Sequence, residues 1–373
     1  DWERPNWFAP AGTEPKDLYS FGRPNWFGPV GEEHRAVRER VGVFDQSSFA
    51  KLTITGPDAE AALSWIAAND VRRPSGRLIY TTLLNPRGGI EADLVLARLA
   101  DDAYYAVIGT GFRTHDISLI RRALPARLDV TLEDVTERFG VLALMGPRAR
   151  DVLGLVAAED VSNAALPFYS WRDLTIGAAT VKALRVTFVG ELGYELHVAR
   201  DDMAAVYEAV KAAGRAFGIA DCGYRALETL RLEKGYRVWG ADISPDTNPF
   251  ETGLGWSVKL ATDVPFVGRE ALAPAAERKP AKRFIGFSVD PEVVLLGRET
   301  IYRDGVPVGY LTSGGFGYTV GRSLGYGYVR HADGVDDAFL TGGTYELEVA
   351  CERVPAEIAL KPFYDPTGAR VTG

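Results

Sequence analysis

The chain has 373 residues, and its 42 Lys and Arg against 50 Asp and Glu give a formal charge of −8. That acidic balance argues against a nucleic-acid binder, because backbone recognition needs surplus basic charge. With 46% hydrophobic residues, 25% charged residues and a mean hydropathy of −0.06, the composition is that of a soluble globular protein, and no apolar run approaches the ~18 residues of a spanning helix. Cys222 and Cys351 lie far apart, so neither a disulfide framework nor a Cys-x-x-Cys metal site is expected. A reducing, cytoplasmic compartment follows as the simplest expectation. The first residue is Asp1, and no charged stretch followed by an apolar one marks a signal peptide. The length predicts two or three domains at ~100 to 200 residues each.

In chain order, Arg4 to Gly12 (RPNWFAPAG) and Arg23 to Gly31 (RPNWFGPVG) form a near-duplication, read as extended, aromatic packing arms. EEHRAVRERV predicts a helix over 32–41 that Gly42 stops. KLTITG alternates as a strand, and Pro57 to Asn69 is apolar at helical spacing. Strands are expected at 78–84, 94–99 and 104–108, then a helix over 114–122. A second, similar series begins near Thr136: strand 141–146, a helix opening at Pro147-Arg148, strand-like ALRVTFVG and YELHV, and a helix over 202–213. Two such series predict related α+β layers facing each other. Beyond Gly286, glycines punctuate short aromatic strands and predict a small antiparallel barrel.

Several chemistries are excluded by what is missing. No G-x-G-x-x-G follows a strand, so the chain is not expected to bind its own FAD or NAD in a Rossmann cleft. No Walker loop, G-x-S-x-G or H-E-x-x-H occurs, and the four histidines are not at metal-ligand spacing. Acid–base chemistry must therefore come from carboxylates. In YTTLLNPRGGIEADL an exposed strand is expected to reach a turn at Asn85 to Gly89, and the next strand carries Glu91 and Asp93 two apart, on one face. A solvated acidic face and a catalytic carboxylate fit that pattern equally well. GELGYELHV holds Glu191 and Glu195 in a similar alternation. LRLEKGYRVWGAD reads as a helix broken at Gly235 that presents Tyr236, Arg237 and Trp239.

These segments, together with WERPNWF, LMGPRAR, NPFETGLGWSVKL, FVGREAL, TSGGFGYTVGRSLGYGYV and KPFYDP, resemble the aminomethyltransferase family typified by the glycine cleavage T-protein. Within it they are most similar to the C-terminal, tetrahydrofolate-binding half of the sarcosine and dimethylglycine dehydrogenases. The resemblance implies an α+β, three-domain cloverleaf around a central folate site. Its expected divisions are 1–52 with 138–240, 53–137 with 241–280, and an antiparallel β-barrel over 281–373. It implies that Asp93 faces N10 of the folate, with Ala92 replacing the first Asp of the family's G-G-x-x-D-D-L turn. Glu195 would hold the pterin edge, and Tyr80 would line the folate channel. Phe168 and Phe188 stand where T-proteins have tyrosines. Leu227 replaces an arginine, with Arg225 as its expected substitute, and Gly109 replaces an asparagine.

The implied activity is tetrahydrofolate-dependent capture of the carbon of a demethylated N-methyl amine as 5,10-methylenetetrahydrofolate. FAD would sit only on a partner domain or subunit, and Trp2 to Phe8 resembles the segment that follows the flavin domain in longer dehydrogenases. Two alternatives stay open at this point. One is a free-standing O-, S- or N-demethylase giving 5-methyltetrahydrofolate. The other is a non-enzymatic folate-binding protein, against which stands Tyr236 where such relatives carry cysteine.

Overall fold

A computed structural model describes residues 2–373. The first sheet runs, in spatial order, Ala220–Asp221, Gly42–Asp45, Phe139–Met145, Gly193–Ala199, Ala179–Leu184 and Trp171–Ile176. The second runs Leu78–Leu84, Ile90–Ala100, Ala103–Ile108, Ala50–Thr55 and Thr131–Asp134. All pairs are antiparallel except the short edge between Gly42 and Ala220, which is parallel. Six strands from Lys282–Val289 to Glu352–Ala359 close into a barrel, because the last pairs with the first and sets Ile358 opposite Phe287. The architecture is the expected cloverleaf of two α+β regions and an antiparallel barrel.

Each sheet region turns a strand into a helix in the same way. Gly56-Pro57 precedes the helix Ala59–Ile66, and Gly146-Pro147 precedes Ala149–Val156. Both glycines sit at positive φ, 132° and 128°. A Cβ on Gly56 would lie 2.5 Å from Asp129 O, and one on Gly146 would lie 2.6 Å from Arg40 O, so only glycine lets these backbones approach. Each helix then presses an apolar stripe onto its own sheet. Leu63 and Ile66 meet Leu52, Leu96 and Ala106 in the second region, while Val152 and Leu153 meet Leu144 and Leu196 in the first. Burying each such aliphatic side chain contributes about 1.5–3 kcal/mol.

Several local expectations change. Only the first copy of the N-terminal duplication is extended; its Pro5 and Asn6 carbonyls accept from Tyr224 N and Arg225 N at the start of the helix Tyr224–Glu233. The second copy runs into a helix over Phe27–Glu39, longer than expected because Pro29 falls in the first turn, where a missing N–H is harmless. Gly42 does not stop that helix. It opens an unforeseen strand, Gly42–Asp45, where a Cβ would sit 2.5 Å from Val37 Cγ2 and 2.8 Å from Cys222 Sγ. The strand expected over 183–190 ends at Leu184, where the buried Arg185 turns inward to donate to the Leu166, Thr372 and Gly373 carbonyls. The strand Ala50–Thr55 crosses the expected 52/53 division, and the residues after Ala369 return to the first region through Arg150 and Arg185.

The barrel is fastened to the rest by buried polar groups. Glu233 accepts from Arg38 and from the Thr319 and Val320 amides of the barrel. Its carboxyl is held down to about 2; burial opposes this, and His34, Arg38 and the Thr319 amide outweigh it. Asp242 is a second junction. It accepts from Val238 N and Arg231 on one oxygen and from the Thr312 and Ser313 hydroxyls of the barrel on the other.

Candidate functional site

The hairpin Leu78–Leu84 to Ile90–Ala100 is clamped rather than exposed, which corrects the sequence expectation. Asn85 Oδ1 accepts from the Arg87 and Gly89 amides and shapes the turn. Ile90 N donates to Thr247 O, and a Cβ on Gly89 would lie 1.9 Å from Pro245 O, so the following segment packs directly over the turn. Thr81 and Thr82 are fully buried. Glu91 is absorbed by this turn, accepting from Asn85 Nδ2 at 2.9 Å.

Asp93 is placed differently. It pairs across the ladder with Thr82, so Tyr80 is its diagonal neighbour on the same face. The Tyr80 hydroxyl donates to Asp93 Oδ2 at 3.1 Å. Both side chains keep some solvent contact although protein surrounds them, which describes groups lining an internal recess. Burial pushes the Asp93 carboxyl up to about 6; the Tyr80 hydrogen bond works against this and nearby Asp116 adds to it. Burial also holds Tyr80 well above the usual phenol range, with Asp93 reinforcing it. The Tyr80 ring stacks on Trp256, centroids 5.6 Å apart at 28°, and Trp256 is 64% exposed at the rim.

The first sheet supplies the facing wall. Glu195, on Gly193–Ala199, is buried. Its nearest basic group is His197 Nε2 at 3.6 Å, beyond hydrogen-bond range. Burial keeps His197 neutral, and its Nδ1 is engaged with the Tyr105 hydroxyl at 3.0 Å. No hydrogen bond in range from a described residue reaches the Glu195 carboxylate, which keeps slight solvent contact, while the buried His197 Nε2 facing it has no partner, so the pair is open to completion by water or a ligand. Tyr169 lies between the walls, near enough to Tyr80 and Tyr236 to oppose their ionisation. Its own hydroxyl is raised to about 12 by burial and then by Glu195. Tyr169 also has φ of 59°, a strained conformation for a residue with a side chain, and its carbonyl accepts from Leu78 N, tying the two sheets together.

Phe188 stacks on Tyr236, centroids 5.8 Å apart at 24°. Beside them Arg237 donates Nε to Thr252 O and Nη1 to Gly235 O. Burial lowers its pKa, while Tyr326 and Tyr80 act in the opposite direction. Its guanidinium lies 5.1 Å from the centroid of Phe284 on the barrel. Gly253 makes room for it, since a Cβ there would lie 2.8 Å from Nη2. All three regions of the fold therefore reach this recess.

Of the residues predicted from sequence, Tyr80 and Asp93 are bonded to each other, and Glu195 faces them across Tyr169. Phe188 joins through Tyr236, and Phe168 meets Tyr169 edge-on at 4.7 Å. Arg225 does not join. Its guanidinium pairs with Asp17 and lies 3.8 Å over Trp26, so the N-terminal segment claims it. The arginine that reaches Tyr80 is Arg237, two residues past the helix-breaking Gly235. Tyr169 and Trp256 were missed, although Trp256 lies within a motif that carried the resemblance. Among the described residues no group of three His, Cys, Asp or Glu is arranged to hold a metal.

Fold and recess together define a class: a three-domain protein with a carboxyl whose pKa burial raises and a second, buried carboxylate near aromatic side chains. Residues 1–262 match the GCVT N-terminal domain and residues 282–365 the glycine cleavage T-protein C-terminal barrel domain, and the chain belongs to the glycine cleavage T-protein family. It is 38% identical to the mitochondrial sarcosine dehydrogenase of Mus musculus over 100% of this chain and 45% of that protein. It is 32% identical to the aminomethyltransferase of Halothermothrix orenii over 89% of this chain and 90% of that protein. The crystal structure of glycine cleavage system aminomethyltransferase T from Bartonella henselae superposes with a TM-score of 0.79 at 25% identity, covering 94% of each chain. The chain spans about half the length of the sarcosine dehydrogenase it matches. No described helix is long and apolar enough to cross a membrane.

Proposed function

We propose that the chain is a tetrahydrofolate-dependent one-carbon transfer unit that captures the carbon of an oxidised N-methyl amine as 5,10-methylenetetrahydrofolate. A flavin-bearing domain or subunit would perform the oxidation, as the likeness to sarcosine dehydrogenase suggests. The observation that carries this reading is the pair of dissimilar carboxyl groups, Asp93 with its pKa raised to about 6 and bonded to Tyr80, and Glu195 without a donor.

The residues present fit a reduced folate. A pterin edge offers adjacent N–H donors that one carboxylate accepts together, which would complete Glu195. Phe188 and Tyr236, already stacked, and Tyr169 provide flat apolar surface beside it. The folate would supply two nucleophilic nitrogens to take up the carbon. Asp93 would accept a proton from the aryl amine nitrogen and return it to the departing amine, a role suited to a carboxyl with a pKa near 6. Tyr80 would orient Asp93 and remain un-ionised throughout, and the clamped hairpin would hold both in register.

The test supplies the chain with tetrahydrofolate and an iminium generated from sarcosine by a flavoprotein, and measures 5,10-methylenetetrahydrofolate. The reading expects product that depends on both the chain and the flavoprotein. Formation of 5-methyltetrahydrofolate from methylated donors without flavoprotein would favour a free-standing demethylase instead. Folate binding with neither product would leave a binding protein.

A further inference from the structure

A second concavity, sharing no residue with the recess, opens where the helix Ala59–Ile66, the turn after the helix Arg113–Ala123, and Val264-Pro265 meet. Its volume is about 600 Å³. The walls are apolar: Trp65, Leu124, Leu128 and Val264 line it, and Trp65 is 40% exposed. Arg122 and Arg127 complete the lining, and no acidic side chain contributes to it.

Those two arginines differ from the paired ones nearby. Arg113, at the start of the same helix, is bound by Asp134 and Glu137, and Arg98 by Glu60 and Asp101. Arg122 and Arg127 are exposed and make no ion pair or side-chain hydrogen bond with any described residue, in a chain with eight more acidic than basic residues, 50 − 42. The helix dipole accounts for Arg122, which sits in the last turn with Arg121. It does not account for Arg127, which lies past the helix end and lines the same cleft.

An open cleft cannot enclose the roughly 70–90% of surface that a small ligand usually buries. An extended segment suits it better, with apolar side chains entering beside Trp65 and carboxylates meeting the two planar guanidiniums in bidentate fashion. We propose that this cleft docks an acidic segment of a partner polypeptide, with glutamate or aspartate on Arg122 and Arg127 and a large apolar residue against Trp65 and Leu128. This assignment is independent of the folate reading.

The test is fluorescence anisotropy of a fluorescein-labelled peptide of alternating glutamate and leucine titrated with the chain, against a lysine and leucine peptide of the same length. The glutamate peptide should bind, more weakly as salt rises, and R122E/R127E should weaken it at least tenfold with only a small drop in thermal unfolding from the helix dipole at Arg122, while R127E alone should weaken binding with unfolding unchanged, since Arg127 has no partner to lose. No binding of the glutamate peptide, equal binding of the lysine peptide, or equal binding by R122E/R127E would overturn the proposal. Sedimentation analysis provides the remaining arm. A concentration-dependent dimer abolished by R122E/R127E would assign the cleft to a second copy of the chain and likewise overturn it.

Discussion

In the second sheet region Gly56-Pro57 turns the chain into Ala59–Ile66, and in the first Gly146-Pro147 turns it into Ala149–Val156, each forced by a backbone contact that a Cβ would block. The regions diverge in the strands that face the recess. The second carries Asp93, whose burial, with Asp116 nearby, outweighs the Tyr80 hydrogen bond, so its proton is retained to about pH 6. The first carries Glu195 beside an imidazole that burial keeps neutral, so no cation completes it. Similar scaffolds thus present one group suited to moving a proton and one suited to receiving hydrogen bonds from a ligand.

Predictions that sharpen this contrast run from large effects to small. Replacing Asp93 with Asn should lower formation of 5,10-methylenetetrahydrofolate by about 10²–10⁴-fold, the usual contribution of a positioned acid–base group, while folate affinity by calorimetry changes little. Glu195→Gln should do the reverse. Loss of a charge-assisted hydrogen bond, about 1.5–3 kcal/mol, would weaken folate binding by roughly one to two orders of magnitude and leave turnover at saturating folate nearly intact. If both variants lose binding and turnover in equal measure, the division of labour is wrong.

The pH dependence follows from Asp93. Its base form dominates above about 6, so kcat/KM should rise through that pH. Because the Tyr80 hydrogen bond lowers the Asp93 pKa, Tyr80→Phe should move the acid limb to higher pH; an unmoved limb would show that another group titrates. Stability should respond too. The folded pKa of Asp93 lies above its unfolded value, so the folded state holds the proton more tightly and stability falls as pH rises from about 4 to about 6. Asp93→Asn should therefore stabilise the chain above that window and not below it. A shift from 3.8 to about 6 sets an upper bound of about 3 kcal/mol, reduced by solvent in the recess. Urea titrations at pH 4 and pH 8 would read the difference. Arg225→Ala should be the mildest for folate, within about twofold, because Arg225 serves Asp17 and Trp26 in a half-buried pair outside the recess.

Much of the architecture was legible because it rests on local signals. Alternation marked the hairpin strands, Pro57 and Pro147 marked the two helix entries, and glycine spacing marked the barrel. What escaped depends on tertiary partners. Gly42 looks like a helix stop until Val37 and Cys222 are seen against it, and Arg185 leaves its sheet for carbonyls in other segments. At the candidate site, Tyr80 and Asp93 share a face only because the ladder shifts register between Leu83 and Leu84; regular pairing from Leu84 and Ile90 would oppose Asp93 to Thr81 on the other face, and no sequence signal marks that shift. The competition between Arg225 and Arg237 could not be read either, because nothing in the sequence shows that the N-terminal segment folds back to take the first. Tyr169 carries no motif; its importance comes from a strained backbone joining two sheets.

The central claim is that Asp93 moves the proton while Glu195 holds the ligand. Its most direct test measures 5,10-methylenetetrahydrofolate formation and folate affinity side by side for the wild-type chain and Asp93→Asn, with iminium supplied in excess. The account predicts product formation reduced at least a hundredfold with affinity within about threefold, less than the loss of one ordinary hydrogen bond. Unchanged product formation by Asp93→Asn would contradict it.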